Sequence, residues 1–202
     1  MKTFHKIVLL LFALALSGSA LAAKNILVFG DSLSAGYGIA REDSWANLLQ
    51  HELKDSHPQY EVVNASVSGE TSAGGLRRIA KALQLHQPRI VIIELGANDG
   101  LRGTPISETE KNLGFIIMQS QKAGAKVLLV GIQLPPNYGP DYTSKFRAMF
   151  PGLAKRHKTE LLPFMLDGIP PEHFQADNLH PTAAAQPLIM RKVLDALRPL
   201  LR

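Results

Sequence analysis

A hydroxyl becomes a nucleophile when a neighbouring base takes its proton, and the base works best when a third group fixes its orientation. Residues of the required types stand at two distant places in this chain. Gly30-Asp31-Ser32-Leu33-Ser34 ends a short apolar run, and Asp177-Asn178-Leu179-His180-Pro181 precedes the last helical stretch. Ser32 is the candidate nucleophile, His180 the candidate base and Asp177 the acid that would orient it. Asp177 and His180 stand three positions apart, so a tight loop would let their side chains hydrogen-bond directly. Of the seven histidines, His5 lies in an N-terminal leader pattern, and His51, His57, His86 and His157 fall within or at the ends of surface-type helices. His173 is the rival. His173, Asp177 and His180 could also be read as metal ligands, but their spacing needs a helix, and Pro170-Pro171 and Pro181 bracket the segment. No metal is expected.

A carbonyl under attack develops negative charge, and donors must already be in place to receive it. The backbone N–H groups of Ser32 and Gly69 and the side-chain amide of Asn98 would supply three. Each residue also has an ordinary explanation: Asp31 and Ser32 as turn or cap residues, Gly69 as a turn glycine with positive φ, and Asn98 as a turn closed by its own side chain.

For these groups to meet, the chain must bring several loops to one edge. Apolar runs at Ile26–Phe29, Tyr60–Asn64, Arg89–Leu95, Lys126–Ile132 and, more weakly, Glu160–Phe164 alternate with segments of helical period. That alternation predicts a mostly parallel sheet with helices on both faces. Helices are expected at Asp43–Lys54, with Trp45, Leu48, Leu49 and Leu53 inward, and up to His86, with Leu76, Ile79, Ala80 and Leu83 inward. Ser107-Glu108-Thr109-Glu110 has the form of a capping box, and Leu113, Ile116, Ile117 and Ser120 continue that helix toward Gly124. Leu134–Pro140 is a loop by composition. Tyr142–His157 is helical with Phe146, Met149, Phe150 and Leu153 inward, kinked or split by Pro151. Thr182 is expected to cap the terminal helix, which runs to about Leu200 with Pro187 distorting its second turn. In a parallel sheet the loops after the first three strands, carrying Ser32, Gly69 and Asn98, share one rim with the start of the last helix.

Composition narrows the classes. Lys2 and Lys6, the ten apolar residues Ile7–Leu16 and the small residues of Ala20-Leu21-Ala22 have the form of an export signal, too short in its apolar part to span a bilayer. Cleavage after Ala22 would leave residues 23–202 as one domain in the periplasm or outside the cell, and would lower the formal charge from +5 to +3. So small an excess, spread along the chain, gives no reason to expect nucleic acid. Arg77, Arg78 and Lys81 form the densest basic cluster, read as a solvated helix face. The absence of cysteine excludes disulfides, thiolate metal sites and a cysteine nucleophile, so the core alone must hold the fold.

Four blocks, Gly30-Asp31-Ser32-Leu33-Ser34, Ser68-Gly69-Glu70-Thr71, Gly96-Ala97-Asn98-Asp99 and Asp177-Asn178-Leu179-His180-Pro181, resemble the SGNH or GDSL hydrolases in type, order and spacing. Val63-Asn64-Ala65-Ser66, Gly100-Leu101-Arg102-Gly103, Leu134–Gly139 and Leu161-Leu162-Pro163-Phe164 look like the exported bacterial thioesterase I/lysophospholipase/arylesterase branch. The resemblance implies a flavodoxin-like three-layer α/β/α fold of about five parallel strands, needing neither metal nor other cofactor. It implies Ser32, Asp177 and His180 as catalytic residues and Ser32, Gly69 and Asn98 as the oxyanion hole. Glu70 departs from that branch, which more often has Asp there. The expected reaction is hydrolysis of small acyl esters or thioesters, lysophospholipids among them, by a monomer that meets lipid surfaces transiently. Leu101, Ile106, Leu134, Pro135 and Tyr138 are the candidate acyl-chain contacts. A carbohydrate acetylesterase would need aromatic platforms and a polar pocket, and Trp45 is the sole tryptophan. A non-catalytic binding module would use the same rim but has no need of Ser, His and Asp together.

Overall fold

The protein is described by a computed structural model covering residues 24–202. The expected leader, residues 1–22, lies outside the described residues. Five strands form, β1 Lys24–Gly30, β2 Tyr60–Asn64, β3 Ile90–Glu94, β4 Lys126–Val130 and β5 Glu160–Leu162. They pair in the order β2-β1-β3-β4-β5, every pair parallel. The helices between them are α1 Ser32–Ala35, α2 Trp45–Ser56, α3 Ser72–His86, α4 Ala97–Leu101, α5 Ile106–Lys122, α6 Pro140–His157 and α7 Gln186–Leu197.

The chain steps from β1 to β2 and then back across β1 to β3. Right-handed crossovers therefore place α2 on one face and α3, α5 and α6 on the other. The packing agrees: α3 lies against α5 and α5 against α6, while α2 pairs with α7. This is the expected three-layer α/β sandwich. Its direction of winding reverses between β1 and β3, so the loops after those two strands diverge and leave a crevice at their carboxyl ends. Ser32 and Asn98 begin those two loops.

The central strands are covered on both sides, which explains their unbroken apolar runs. Ile26 to Phe29 and Ile90 to Ile93 are each fully buried. At about 1.5–3 kcal/mol for each large side chain removed from water, these two strands carry much of the stability of a fold that has no cross-links. The inward stripes fall as read for α5 and α6, and Trp45, Leu49, Leu53, Ile79 and Leu83 are buried too, but Ala80 is exposed. Gly75, one turn before Ile79, lies on the inner face of α3, where an added Cβ would stand 2.6 Å from Leu95.

Five expectations about helix ends and breaks need correction. No capping box forms at Ser107: Pro105 precedes α5, its carbonyl receives the Glu108 and Thr109 N–H groups, and Thr109 is buried against Asp99. The Leu134–Pro140 loop contains one 3₁₀ turn, Pro136–Tyr138. Of the two readings for Pro151, the split is excluded, since α6 runs on past it. Thr182 does not cap α7, because a 3₁₀ turn over Ala183–Ala185 intervenes and the Thr182 hydroxyl donates instead to the His173 carbonyl. Pro187 thereby falls in the first turn of α7, where its missing N–H costs nothing.

Candidate active site

At the end of β1 the backbone passes so close to its neighbours that only glycine fits. A Cβ on Gly30 would lie 2.7 Å from Ser34 Oγ and 2.8 Å from Glu94 Oε2. Close approach, rather than a special φ, is what this glycine supplies. Asp31 then caps α1 by accepting the Leu33 N–H at 3.0 Å, and Gly36 closes the helix in the left-handed region at φ +76°. Ser32 is the first residue of this single turn, so its own N–H has no intrahelical acceptor. Arg78 braces the turn from α3. Its guanidinium stacks 3.9 Å over the Phe29 ring, pairs with Glu70 at 2.6 Å and donates to the carbonyls of Ala65 and Gly30. Arg77 and Lys81 are exposed as read, but Arg78 is a strut tying three segments together. Its position beside the buried Ile79 was the available signal.

The candidate base arrives from the segment between β5 and α7. His180 Nε2 lies 2.8 Å from Ser32 Oγ, and His180 Nδ1 lies 2.6 Å from Asp177 Oδ2. The other Asp177 oxygen accepts the N–H groups of Leu179 and His180 at 2.9 and 3.0 Å, with Asn178 at φ +57° completing the turn. Partial burial pushes the Asp177 carboxyl up, but the His180 N–H, the imidazole and the Leu179 N–H outweigh it and hold the acid down at about 2. It is thus ionised whenever the imidazole is neutral, and fixes the tautomer that leaves Nε2 free to accept the serine proton. The Tyr37 ring packs on the imidazole at 4.6 Å between centroids. His173 stands apart from this relay, its carbonyl bonded to Thr182. Among the described residues no three His, Asp or Glu side chains group as metal ligands.

Ser32, Gly69 and Asn98 come together on one cavity wall. Gly69 has φ +77° and open space where a Cβ would stand, and its carbonyl accepts from Arg102 Nη2 at 3.1 Å. Asn98 Nδ2 donates to Asp31 Oδ2 at 3.1 Å and to the Glu70 carbonyl at 3.0 Å. Both amide hydrogens therefore have acceptors within the protein, and an oxyanion would share one of them. Beneath the nucleophile lies a feature the sequence reading missed. Asp31, Ser34 and Glu94 are all fully buried, with the Ser34 hydroxyl and the Asp31 N–H directed at Glu94 Oε2. Burial raises the Asp31 carboxyl to about 6 against the pull of the Leu33 N–H, the Asn98 amide and His180. Burial, and then the charge of Asp31, push Glu94 well up as well.

The cavity beside Ser32 holds about 580 Å³, within the roughly 300–1,000 Å³ usual for small-molecule sites. Of the five expected acyl contacts, Leu101, Leu134 and Pro135 line it. Ile106 and Tyr138 do not. Ile106 starts α5 and packs on the core, while the Tyr138 hydroxyl donates to the Leu101 carbonyl and so braces the wall from behind. Ile132, Phe164, Leu166, Phe174 and Leu179 supply the missing apolar surface. Two of these, Ile132 and Phe164, end the apolar runs of the sequence but lie beyond their strands, which stop at Val130 and Leu162. Trp45 is fully buried, its Nε1 donating to the Leu33 carbonyl, and offers no sugar platform.

With a serine, an imidazole and a carboxylate linked in series beside amide donors and an apolar cavity, the site has the parts for acyl transfer. Known proteins agree. Esterase TesA of Pseudomonas aeruginosa is 47% identical over 191 residues, 94% of this chain and 95% of that protein. Thioesterase 1/protease 1/lysophospholipase L1 of Escherichia coli is 43% identical over 192 residues, 94% and 91% of the two chains. Among solved structures, the psychrotrophic esterase EstA from Pseudoalteromonas sp., inhibited by monoethylphosphonate, superposes with a TM-score of 0.84 at 40% identity, covering 88% of this chain and 98% of that one. Residues 28–187, from the middle of β1 to the first turn of α7, match the GDSL-like Lipase/Acylhydrolase family, and the chain belongs to that family.

Proposed function

We propose that the protein hydrolyses carboxylic esters and acyl thioesters through an acyl-enzyme formed on Ser32. The reading rests on one observation, the unbroken relay from Ser32 Oγ through His180 to Asp177 at 2.8 and 2.6 Å beside an apolar cavity. Ser32 Oγ attacks the acyl carbonyl as His180 Nε2 takes its proton. Asp177 stabilises the imidazolium without becoming protonated. The tetrahedral oxyanion is received by the Ser32 and Gly69 N–H groups and the Asn98 amide, and loss of such a donor in a water-poor site costs about 10²–10³ in rate. His180 then returns the proton to the leaving alcohol or thiol. Water enters, His180 acts as base again, and the acid is released.

The apolar walls suit a hydrocarbon acyl group better than a sugar, and the relatives' names span esterase, thioesterase and lysophospholipase. The substrate is a small acyl ester or thioester, and lipid surfaces are met transiently by a monomer. Residues 1–22 act as an export signal, so residues 23–202 work as one domain in the periplasm or outside the cell. No helix among the described residues is long and apolar enough to cross a membrane.

A fluorophosphonate probe tests the chemistry. Wild-type protein should be labelled and Ser32→Ala should not; labelling that persists in the variant would move the nucleophile elsewhere. A series of p-nitrophenyl esters of increasing chain length, run beside acyl thioesters and a lysophospholipid, then defines the substrate. A preference for acetylated sugars over every acyl chain in that series would overturn the assignment of the cavity.

A further inference from the structure

We propose that Asp31 is a positioning residue of the oxyanion hole, fixing which atom of the Asn98 side chain faces the reacting carbonyl as Asp177 fixes the tautomer of His180. This rests on the reading of Asn98 as an oxyanion donor. An asparagine side chain ends in a donor and an acceptor of nearly the same shape, exchanged by a half-turn of the amide. In one orientation Asn98 offers N–H to the substrate oxygen. In the other it offers its own carbonyl oxygen, which would repel the developing charge. Two acceptors select the first: Asp31 Oδ2 at 3.1 Å and the Glu70 carbonyl at 3.0 Å. The Asp31 bond is charge-assisted and supplies the larger share of that selection.

Asp31 is itself held. It is fully buried, its Oδ1 accepts the Leu33 N–H at 3.0 Å, and its own N–H points to Glu94 Oε2. Because one oxygen serves Leu33 and the other serves Asn98, the ionised carboxylate accepts from both donors at full strength. Protonation would weaken one of the two acceptors. Asp31 is faced by Glu94 from β3 and by His180, with Asp177 behind it, from the loop before α7. On the remaining side stands Arg78 with its partner Glu70, beyond the Gly30 carbonyl. Two buried carboxyls this close do not both ionise readily. Glu94 is driven up by burial and by the charge of Asp31, and it keeps the shared proton; Asp31, eased down by Leu33, Asn98 and His180, carries the charge.

The test is a double-mutant cycle on p-nitrophenyl ester hydrolysis, with Asp31→Asn and Asn98→Ala. Asparagine at position 31 keeps the shape but can accept from only one of its two donors. In otherwise wild-type protein, Asp31→Asn should lower kcat by about 30–100-fold with KM within about threefold, as for an interaction expressed in the transition state. In the Asn98→Ala background the same change should cost about threefold or less. Equal losses in the two backgrounds, or a wild-type kcat in Asp31→Asn, would overturn the proposal. If Asp31→Asn does not fold, the acid limb of kcat/KM in the unmodified protein gives the answer. Protonation of Asp31 near pH 6 should contribute to that limb, and Asn98→Ala should remove the contribution; identical limbs would refute the role. Failure of the wild-type protein to hydrolyse esters or react with a fluorophosphonate would sink the hydrolase reading, whereas an active enzyme with additive losses sinks the Asp31 role alone.

Discussion

Ser32 is flanked by two regions built in opposite ways. On the sheet side, the ends of β1 and β3 are buried, Gly30 has no room for another carbon, Arg78 and Asp31 each bond to more than one segment, and Glu94 receives two donors from the turn of Ser32. On the loop side, the segment carrying His180 is held mostly by bonds within itself, the isolated bridge of Phe174 to Pro181, the His173 carbonyl to Thr182 and the Asp177 turn, and by Gln175. The Gln175 amide donates to the Tyr37 and Pro181 carbonyls at 2.8 and 3.1 Å, while its backbone N–H reaches the His180 carbonyl at 2.8 Å. The His180 side chain is 20% exposed and that of Asp177 39%, so the proton relay meets solvent while the nucleophile's foundation does not. Ser32 and Asn98 are thus held against buried neighbours, and His180 by a local turn. Activity and stability should separate accordingly.

The sharpest separation is expected at His180. His180→Ala should cost about 10⁴-fold or more in kcat/KM while changing unfolding free energy by less than about 1 kcal/mol, checked by esterase assay and urea denaturation. A large loss of stability there would erase the distinction between the two sides. Gly30→Ala should show the reverse coupling, losing activity and about 1–3 kcal/mol of stability together, because the new methyl must displace Ser34 and Glu94. Gln175→Ala removes only ties within the loop and to Tyr37. It should lower kcat roughly tenfold through a misplaced imidazole, with near-normal fluorophosphonate labelling of Ser32 at long times.

The smallest effect expected is a pH dependence of stability. Asp31 is raised to about 6 from an ordinary 3.8, so the folded state holds its proton longer than the unfolded chain. Its contribution is full below the unfolded value and is lost as pH rises toward 6; Glu94 acts in the same direction and extends the loss upward. Asp177, lowered to about 2, contributes in the opposite sense, present above its ordinary value and lost as pH falls through 2. Thermal unfolding between pH 4 and 8 should therefore show a melting temperature that declines with pH, and Glu94→Gln should flatten the decline. A slope as steep in the variant as in the wild type would remove the buried carboxyls as its source.

Much of this was legible because the strands are apolar runs and the triad residues lie in short, self-contained turns. Asp177 and His180 meet across three residues, and Ser32 follows a strand that announces its own end. What was hidden depends on neighbours far along the chain. Glu94 sits within an apolar run and was absorbed into it, although a single acid among five buried residues demands a partner, which proved to be Ser34, sixty positions away. Arg78 looked solvated because its partners, Phe29, Ala65 and Glu70, belong to other elements. The cap at Ser107 failed for the same kind of reason: Pro105 sets the path into α5 before the serine is reached, and tertiary burial claims Thr109.

One stretch of chain both forms part of the cavity wall, through Phe174 and Leu179, and carries the imidazole that must reach Ser32. A hydrocarbon tail seated against those two side chains would press the general base into register while the substrate is being held. The grip on the greasy end of the molecule then becomes turnover at the polar end, so homologous esters should differ in kcat as much as in KM.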